Sequence, residues 1–277
     1  MTTNYFYNST KSKFLEISGS DNKFFLQNLI TNDIETCSSN NYLYSCLLTP
    51  QGKFLYDFFI FKVNDDFILE VHNNYFDKLL NKLQTYKLKS LVKLTKLSKL
   101  NSFVIFNDIE FNNNQVIIYA QDPRNNNIGK KIIINDSILL TKSNLIEINE
   151  NDYHEILIKN KVPYTTTDME ENKSLLLENN FHNLNAISWN KGCYVGQEIT
   201  ARMKYRALIK KQIYNMKIIS GQIEIGEIIN KDGINIGKVI SKQKKYIFCM
   251  LKIDLVKIYF LNKDILITDS EVALKFL

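Results

Sequence analysis

Lys191-Gly192-Cys193-Tyr194-Val195-Gly196-Gln197-Glu198-Ile199-Thr200-Ala201-Arg202 is the most unusual stretch of this 277-residue chain. Two glycines flank a Cys-Tyr-Val core. Glycines at that spacing permit backbone shapes other residues resist, and let a ligand approach closely. From Gln197 onward the residues favour a helix. Cys193 is therefore expected just ahead of a helix N-terminus and beside Lys191, two features that favour a thiolate over a thiol. The bland alternative is a small buried cysteine, the usual state of a free one. The stretch is not a P-loop, because no Gly-Lys-Ser/Thr follows, and not a dinucleotide fingerprint, because the third glycine is missing.

Outward from this stretch, the pattern is mixed. Lys13 to Ser18 reads as a short strand, and Ser20 as the cap of a helix carrying Phe25, Leu26, Leu29 and Ile30 on one face. Two apolar runs, 42–48 and 54–63, flank Thr49-Pro50-Gln51-Gly52, a hairpin signal. A third strand is expected over 67–71. Asn73 or Asn74 then caps a helix with Phe76, Leu79, Leu80 and Leu83 at i, i+3, i+4, i+7. Further strand-like pieces fall at 103–106 and 116–119, and a helix over 151–161 ends before Pro163. Beyond Ala207, β-rich pieces are punctuated by Gly221, Gly226, Gly233 and Gly237, which suggests a small β-barrel. The expected class is α+β, with two interwoven α+β subdomains over 1–206 and a C-terminal β-barrel over 207–277.

Composition narrows the function. Apolar residues make up 45%, enough for a sizeable core. The formal charge is +6. The lysines read as scattered, so direct nucleic-acid contact is not expected from charge alone. Cys37, Cys46, Cys193 and Cys249 form no CxxC pair, so neither a zinc knuckle nor a disulfide framework is expected. His72, His154 and His182 show no metal spacing. Residues 1–14 hold no continuous apolar run and are not Arg-rich, and no stretch is long and apolar enough to span a bilayer. A cytoplasmic location with no membrane partner is the resulting expectation.

The 191–202 string resembles the signature of the YgfZ/Iba57 family, folate-binding proteins related to the glycine-cleavage T-protein. It matches at Lys191, Gly192, Cys193, Tyr194, Gly196, Gln197, Glu198, Ala201 and Arg202. Leu177-Glu178-Asn179-Asn180, Ile187-Ser188-Trp189, Asp122-Pro123-Arg124 with Gly129, Ile17 to Asn28, and Gly233 to Ser241 are similar to further family elements. The sequence departs from the family at Asn28 and Lys161, where glycines are usual, and holds Lys159 where folate-using relatives carry a Glu.

The resemblance implies a T-protein-like, aminomethyltransferase-type fold around a central channel that holds tetrahydrofolate. A pterin suits a carboxylate at its edge and aromatic faces above and below. Asp57, Tyr153, Glu178 and Tyr194 are the candidate folate contacts, with Arg202 or Lys191 for the anionic tail. Asp57 sits in an apolar strand, where a carboxylate is expensive unless it is hydrogen-bonded or used.

The T-protein's two adjacent acids correspond here to Tyr56 and Asp57, so one acid is missing. That lowers the case for one-carbon transfer without closing it. A stable cluster usually takes four protein ligands, and this chain offers one conspicuous thiol. The implied function is a tetrahydrofolate-binding factor for assembly or maintenance of four-iron, four-sulfur proteins, with an indirect effect on tRNA modification. Cys193 would be a reactive thiol or a transient, shared cluster ligand, and the partners would be iron–sulfur scaffold or client proteins met by a monomer or in a transient complex. The alternative is a folate-dependent aminomethyl transferase.

Overall fold

The computed structural model describes residues 4–39, 41–106, 116–135, 145–206, 209–260 and 265–277. Its strands in chain order are β1 Asn4–Asn8, β2 Ser12–Ser18, β3 Leu43–Leu48, β4 Phe54–Val63, β5 Asp66–His72, β6 Lys93–Leu97, β7 Asn101–Ile105, β8 Val116–Gln121, β9 Lys130–Ile134 and β10 Leu145–Ile148. The C-terminal strands are β11 Lys211–Ser220, β12 Ile228–Lys231, β13 Ile234–Gln243, β14 Tyr246–Lys252, β15 Ile265–Ile267 and β16 Ala273–Phe276. The helices are α1 Asn22–Gln27, α2 Asn73–Lys87, α3 Glu150–Lys159, α4 Thr165–Asp168, α5 Gln197–Tyr205 and α6 Ile253–Phe260.

These strands build three sheets, of order β3-β4-β5-β2-β6, β10-β1-β7-β9-β8 and β12-β13-β14-β11-β16-β15. The first two share one apolar core that runs from Tyr7 to Met203, so the chain crosses between them. β1 opens the chain in the second sheet while β2 lies in the first, which is what interweaves the two. The third sheet has its own core around Met216, Ile247, Cys249, Leu251 and Leu274. It curls into a half-barrel rather than a closed barrel. The boundary expected at 206/207 meets Ala207, which lies outside the described residues.

The hairpin expected at Thr49–Gly52 forms between β3 and β4, with the Gly52 amide donating to Thr49 O at 2.9 Å. The helix expected near 73 is α2, and its apolar stripe is buried. Its cap differs: the residue before Asn73 is His72, whose Nδ1 accepts from the Asn74 amide at 3.2 Å. Ser20 does not cap α1 either. Asp21 stands there without a side-chain cap bond, because its carboxylate accepts instead from the Leu91 amide at 2.7 Å. α3 begins one residue early and is capped by Asn149, whose side chain accepts from the Asp152 amide.

α4 lies against β13 of the half-barrel and carries a buried carboxyl. Asp168 accepts from the Tyr164 amide at 2.7 Å and from Thr167 Oγ1 at 3.0 Å. Burial pushes its pKa from 3.8 up to about 6, with the bonds from the Tyr164 amide and Thr167 and the nearby Ser241 hydroxyl holding the rise in check. The folded protein therefore binds this proton more tightly than the unfolded chain does. Between about pH 4 and pH 6 stability falls as pH rises, by up to about 3 kcal/mol from this group. Asp168→Asn keeps an acceptor and removes the titration. We expect thermal melts of this variant to lose that slope, and an unchanged slope would contradict the assignment.

Candidate functional site: a cavity between two sheets and an exposed cysteine loop

A cavity lies between the first two sheets and opens to solvent, with about 650 Å³ of empty space when its open mouth is included. Asp57, Phe58 and Phe59 of β4 line it, with Glu70 and His72 of β5, Tyr7, Arg124, Lys131, Tyr153 and the 163–166 segment. Asp57 sits on the less covered face of a strand whose neighbours are buried, and pairs across the sheet with Cys46. Its two oxygens are taken: Thr165 Oγ1 donates to Oδ1 at 2.5 Å and the Tyr44 hydroxyl to Oδ2 at 2.8 Å. Burial raises its pKa, while Thr165, Tyr44 and the Arg124 charge hold the rise in check.

Tyr153 stacks on Tyr7, with ring centroids 4.3 Å apart. Burial lifts the Tyr153 hydroxyl to about 12 against the pull of Arg124. Arg124 donates to that hydroxyl at 3.2 Å and holds Asp122 with two further bonds, at 3.0 and 2.8 Å. Its guanidinium also lies 4.8 Å from the Phe59 ring centre. Deeper still, Lys131 donates to Glu70 Oε1 at 2.9 Å, and Ser12 donates to the same oxygen at 2.6 Å. The ammonium stands 2.8 Å from Oε2 as well, close enough for attraction but without a well-aligned bond.

His72 supplies an unspent donor. Its Nδ1 accepts from Asn74, so Nε2 carries the hydrogen, and Nε2 is buried with no partner. Burial first, then the Lys11 charge, lowers its pKa to about 4, so the ring is neutral. Sequence reading weighed this histidine only as a metal ligand. The missed signal was its place at the junction of an alternating strand and a helix.

The Cys193 loop is a separate site, and none of the residues 191–202 lines the cavity. Cys193 is exposed, while Cys37, Cys46 and Cys249 are buried. The loop is locked from beneath. Lys191 is buried and donates to the carbonyls of Gln27, Ile30 and Asn32 at 2.7, 2.8 and 2.8 Å. Burial lowers its pKa to about 8. Its ammonium therefore holds the turn after α1 and is not free to flank the thiol or a folate tail. The Val195 amide adds a bond to Asn28 O at 3.2 Å.

The two motif glycines differ in role. Gly196 has φ +81°, and a Cβ there would lie 2.5 Å from Thr49 O and 3.1 Å from Gly52 Cα. The loop thus docks on the β3–β4 turn through a contact that only glycine allows. Gly192 takes an ordinary φ, and a Cβ there would meet nothing within 4 Å. The space beside Cys193 is open. Three residues separate the thiol from Gln197, the first residue of α5 and the helix start expected from the sequence.

The remaining candidates divide. Tyr194 is buried under the loop, with Lys191 Nζ 5.1 Å from its ring centre. Glu198 and Arg202 pair with each other at 2.6 Å on the exposed face of α5, and Gln197 lies next to them with a 3.4 Å contact to Gly192 O. Glu178 faces a second cleft, next to the half-barrel, and lies 3.5 Å from Lys211. Of the four expected folate contacts, the cavity brings together Asp57 and Tyr153 and leaves out Glu178 and Tyr194. Among the described residues no group of three or more His, Cys, Asp or Glu could hold a metal ion.

Comparison with known proteins matches this anatomy. Residues 6–105 fit the GCVT N-terminal domain. The fold is similar to that of the glycine cleavage system aminomethyltransferase T from Bartonella henselae, with TM-score 0.79, 12% identity, and coverage of 99% of this chain and 85% of that one. In sequence the chain is 30% identical over 217 residues to the iron-sulfur cluster assembly factor IBA57 homolog, mitochondrial, of Mycosarcoma maydis, covering 72% of this chain and 53% of the relative. The human iron-sulfur cluster assembly factor IBA57, mitochondrial, is 24% identical over 83% of this chain and 72% of its own length. The chain spans about half the length of its fungal relatives from M. maydis and Neurospora crassa.

One expectation is overturned. The relatives are named as mitochondrial, which points to mitochondria and not to the cytoplasm. The expectation rested on residues 1–14 showing no apolar or Arg-rich run and on no stretch long enough to span a bilayer, and neither is a dependable guide to a cellular address. The T-protein-like fold, the GCVT match and the IBA57 relatives agree with one another: the chain is similar in fold to the aminomethyltransferase and in sequence to the IBA57 iron–sulfur cluster assembly factors.

Proposed function

We propose that this protein is an assembly or maintenance factor for iron–sulfur proteins, with Cys193 as the working thiol. The observation that carries this reading is an exposed cysteine on a loop fixed by Lys191 and Gly196, with open space beside it. A thiol on a rigid, accessible loop suits transient ligation of a cluster shared with a second protein. As its sulfur binds iron the thiol gives up its proton, and no electron need move. Any effect on tRNA modification is indirect, through modifying enzymes that contain such clusters.

Tetrahydrofolate is proposed for the cavity. The stacked Tyr7 and Tyr153 offer an aromatic wall, Asp57 an acceptor edge, and His72 Nε2 a donor with nothing yet to donate to. Folate bound there would bring its one-carbon carrier ring; the chain's own residues bind and orient it. Asp57 is already doubly hydrogen-bonded and its neighbour is Tyr56, which favours holding over acid–base transfer. We expect tetrahydrofolate to bind the wild type in titration calorimetry and about tenfold more weakly to His72→Leu. Equal affinity for both, with the variant's melt intact, would remove His72 from the site. No binding to the wild type would remove folate from the cavity.

A further inference from the structure

We propose that the end of the molecule formed by α1, the C-terminus of α2 and the 88–93 connection docks on an anionic lipid surface. Residues 78–99 contain seven lysines and no acid. The whole chain has 35 basic and 29 acidic side chains, so its net positive charge resides in this one stretch and the remainder is close to neutral. Lys78 and Lys96 pair with Glu171 and Asp77 toward the start of α2, which leaves Lys87, Lys89 and Lys93 as the lysines at its C-terminal end.

Three large apolar side chains project from the same end. Leu88 is 87% exposed, Leu91 69% and Phe24 73%. The backbone brings them together: the Asp21 amide donates to Leu91 O, Leu91 donates back to the Asp21 carboxylate, and α1 with Phe24 starts one residue later. Leu88 also has φ +45°, a conformation that costs a branched L residue strain and is ordinarily left to glycine or asparagine. A leucine held there, pointing into solvent, is poorly explained by stability. Lys87, Lys89 and Lys93 surround the two leucines, and Lys23 is next to Phe24, where it pairs with Glu35.

Aliphatic tips ringed by lysines match the boundary between acyl chains and anionic headgroups. Nucleic acid is the weaker fit, because single strands are held by aromatic stacking and this end offers one Phe and no arginine. No described helix is long and apolar enough to cross a membrane, so the contact would be peripheral.

The test is cosedimentation of the full chain with vesicles of phosphatidylcholine alone, or with phosphatidylglycerol as about one lipid in three. We expect binding to the anionic vesicles only, lost at high salt. Lys87→Gln with Lys89→Gln and Lys93→Gln should weaken it about a hundredfold, at roughly fivefold per charge. Leu88→Asn with Leu91→Gln should weaken it too, with the melting temperature kept, since asparagine accepts a positive φ. Equal binding to neutral vesicles, or none to either, would overturn the proposal. So would leucine variants that bind normally while only the lysine variant fails, a pattern that would mark a general polyanion site for RNA or an acidic protein.

Discussion

Cys193→Ala is expected to abolish rescue of a four-iron, four-sulfur enzyme in cells that depend on this protein, while leaving its melting temperature within about 2 °C of wild type. The two halves of that result have separate causes. Cys193 is exposed, so its side chain contributes little to packing. The loop's shape is set elsewhere, by the three carbonyl bonds of Lys191 and the glycine contact at Gly196. Removing the sulfur therefore takes away the chemistry and leaves the scaffold. The buried thiols cannot substitute, since Cys46 and Cys249 lie wholly within apolar cores. Full rescue by the variant, at wild-type protein levels, would show that the loop acts by shape alone.

Glu70→Ala is expected to destabilise the fold by about 3–5 kcal/mol, the cost of leaving a buried charge without its partner. Lys131 and Glu70 are each only 4% exposed, and the ammonium's other hydrogen-bonding neighbour is Ser102 Oγ at 3.3 Å. The pair ties β5 of the first sheet to β9 of the second, beneath the cavity. The double replacement Glu70→Leu with Lys131→Met should recover most of the loss, because two matched apolar groups leave no charge stranded. Urea melts of the three variants measure this directly. A Glu70→Ala cost under about 1 kcal/mol would mean that water reaches the pair and that the cavity floor is wet.

Much of the local structure was legible in the sequence. The α2 stripe, the Thr49–Gly52 hairpin and the glycine-punctuated C-terminal strands follow from periodicity and turn chemistry alone. The pairing of β1 with β10, the latter about 140 residues later, was not legible, because short strands of mixed pattern carry no signal of their partners. Caps were misread where a tertiary contact outbid the local one, as when Asp21 bonds Leu91 and leaves α1 without a side-chain cap.

The site was half legible. The 191–202 string marked a loop that carries an exposed thiol, yet it could not show that Lys191 points inward at carbonyls or that Tyr194 is buried. Glu178 was grouped with Asp57 by analogy, and the fold sends it to another cleft. His72 and the Glu70–Lys131 pair carry no motif. Their importance depends on which side chains are left facing a cavity, and that is a property of the packed sheets.

The most direct test of the central claim is aconitase activity in mitochondria of cells depleted of this protein and resupplied with the wild-type chain. The account predicts a fall on depletion and recovery on resupply, with glycine cleavage unaffected. Normal aconitase activity beside a glycine or one-carbon defect would contradict it, and would turn attention to Asp57 as part of a transferase.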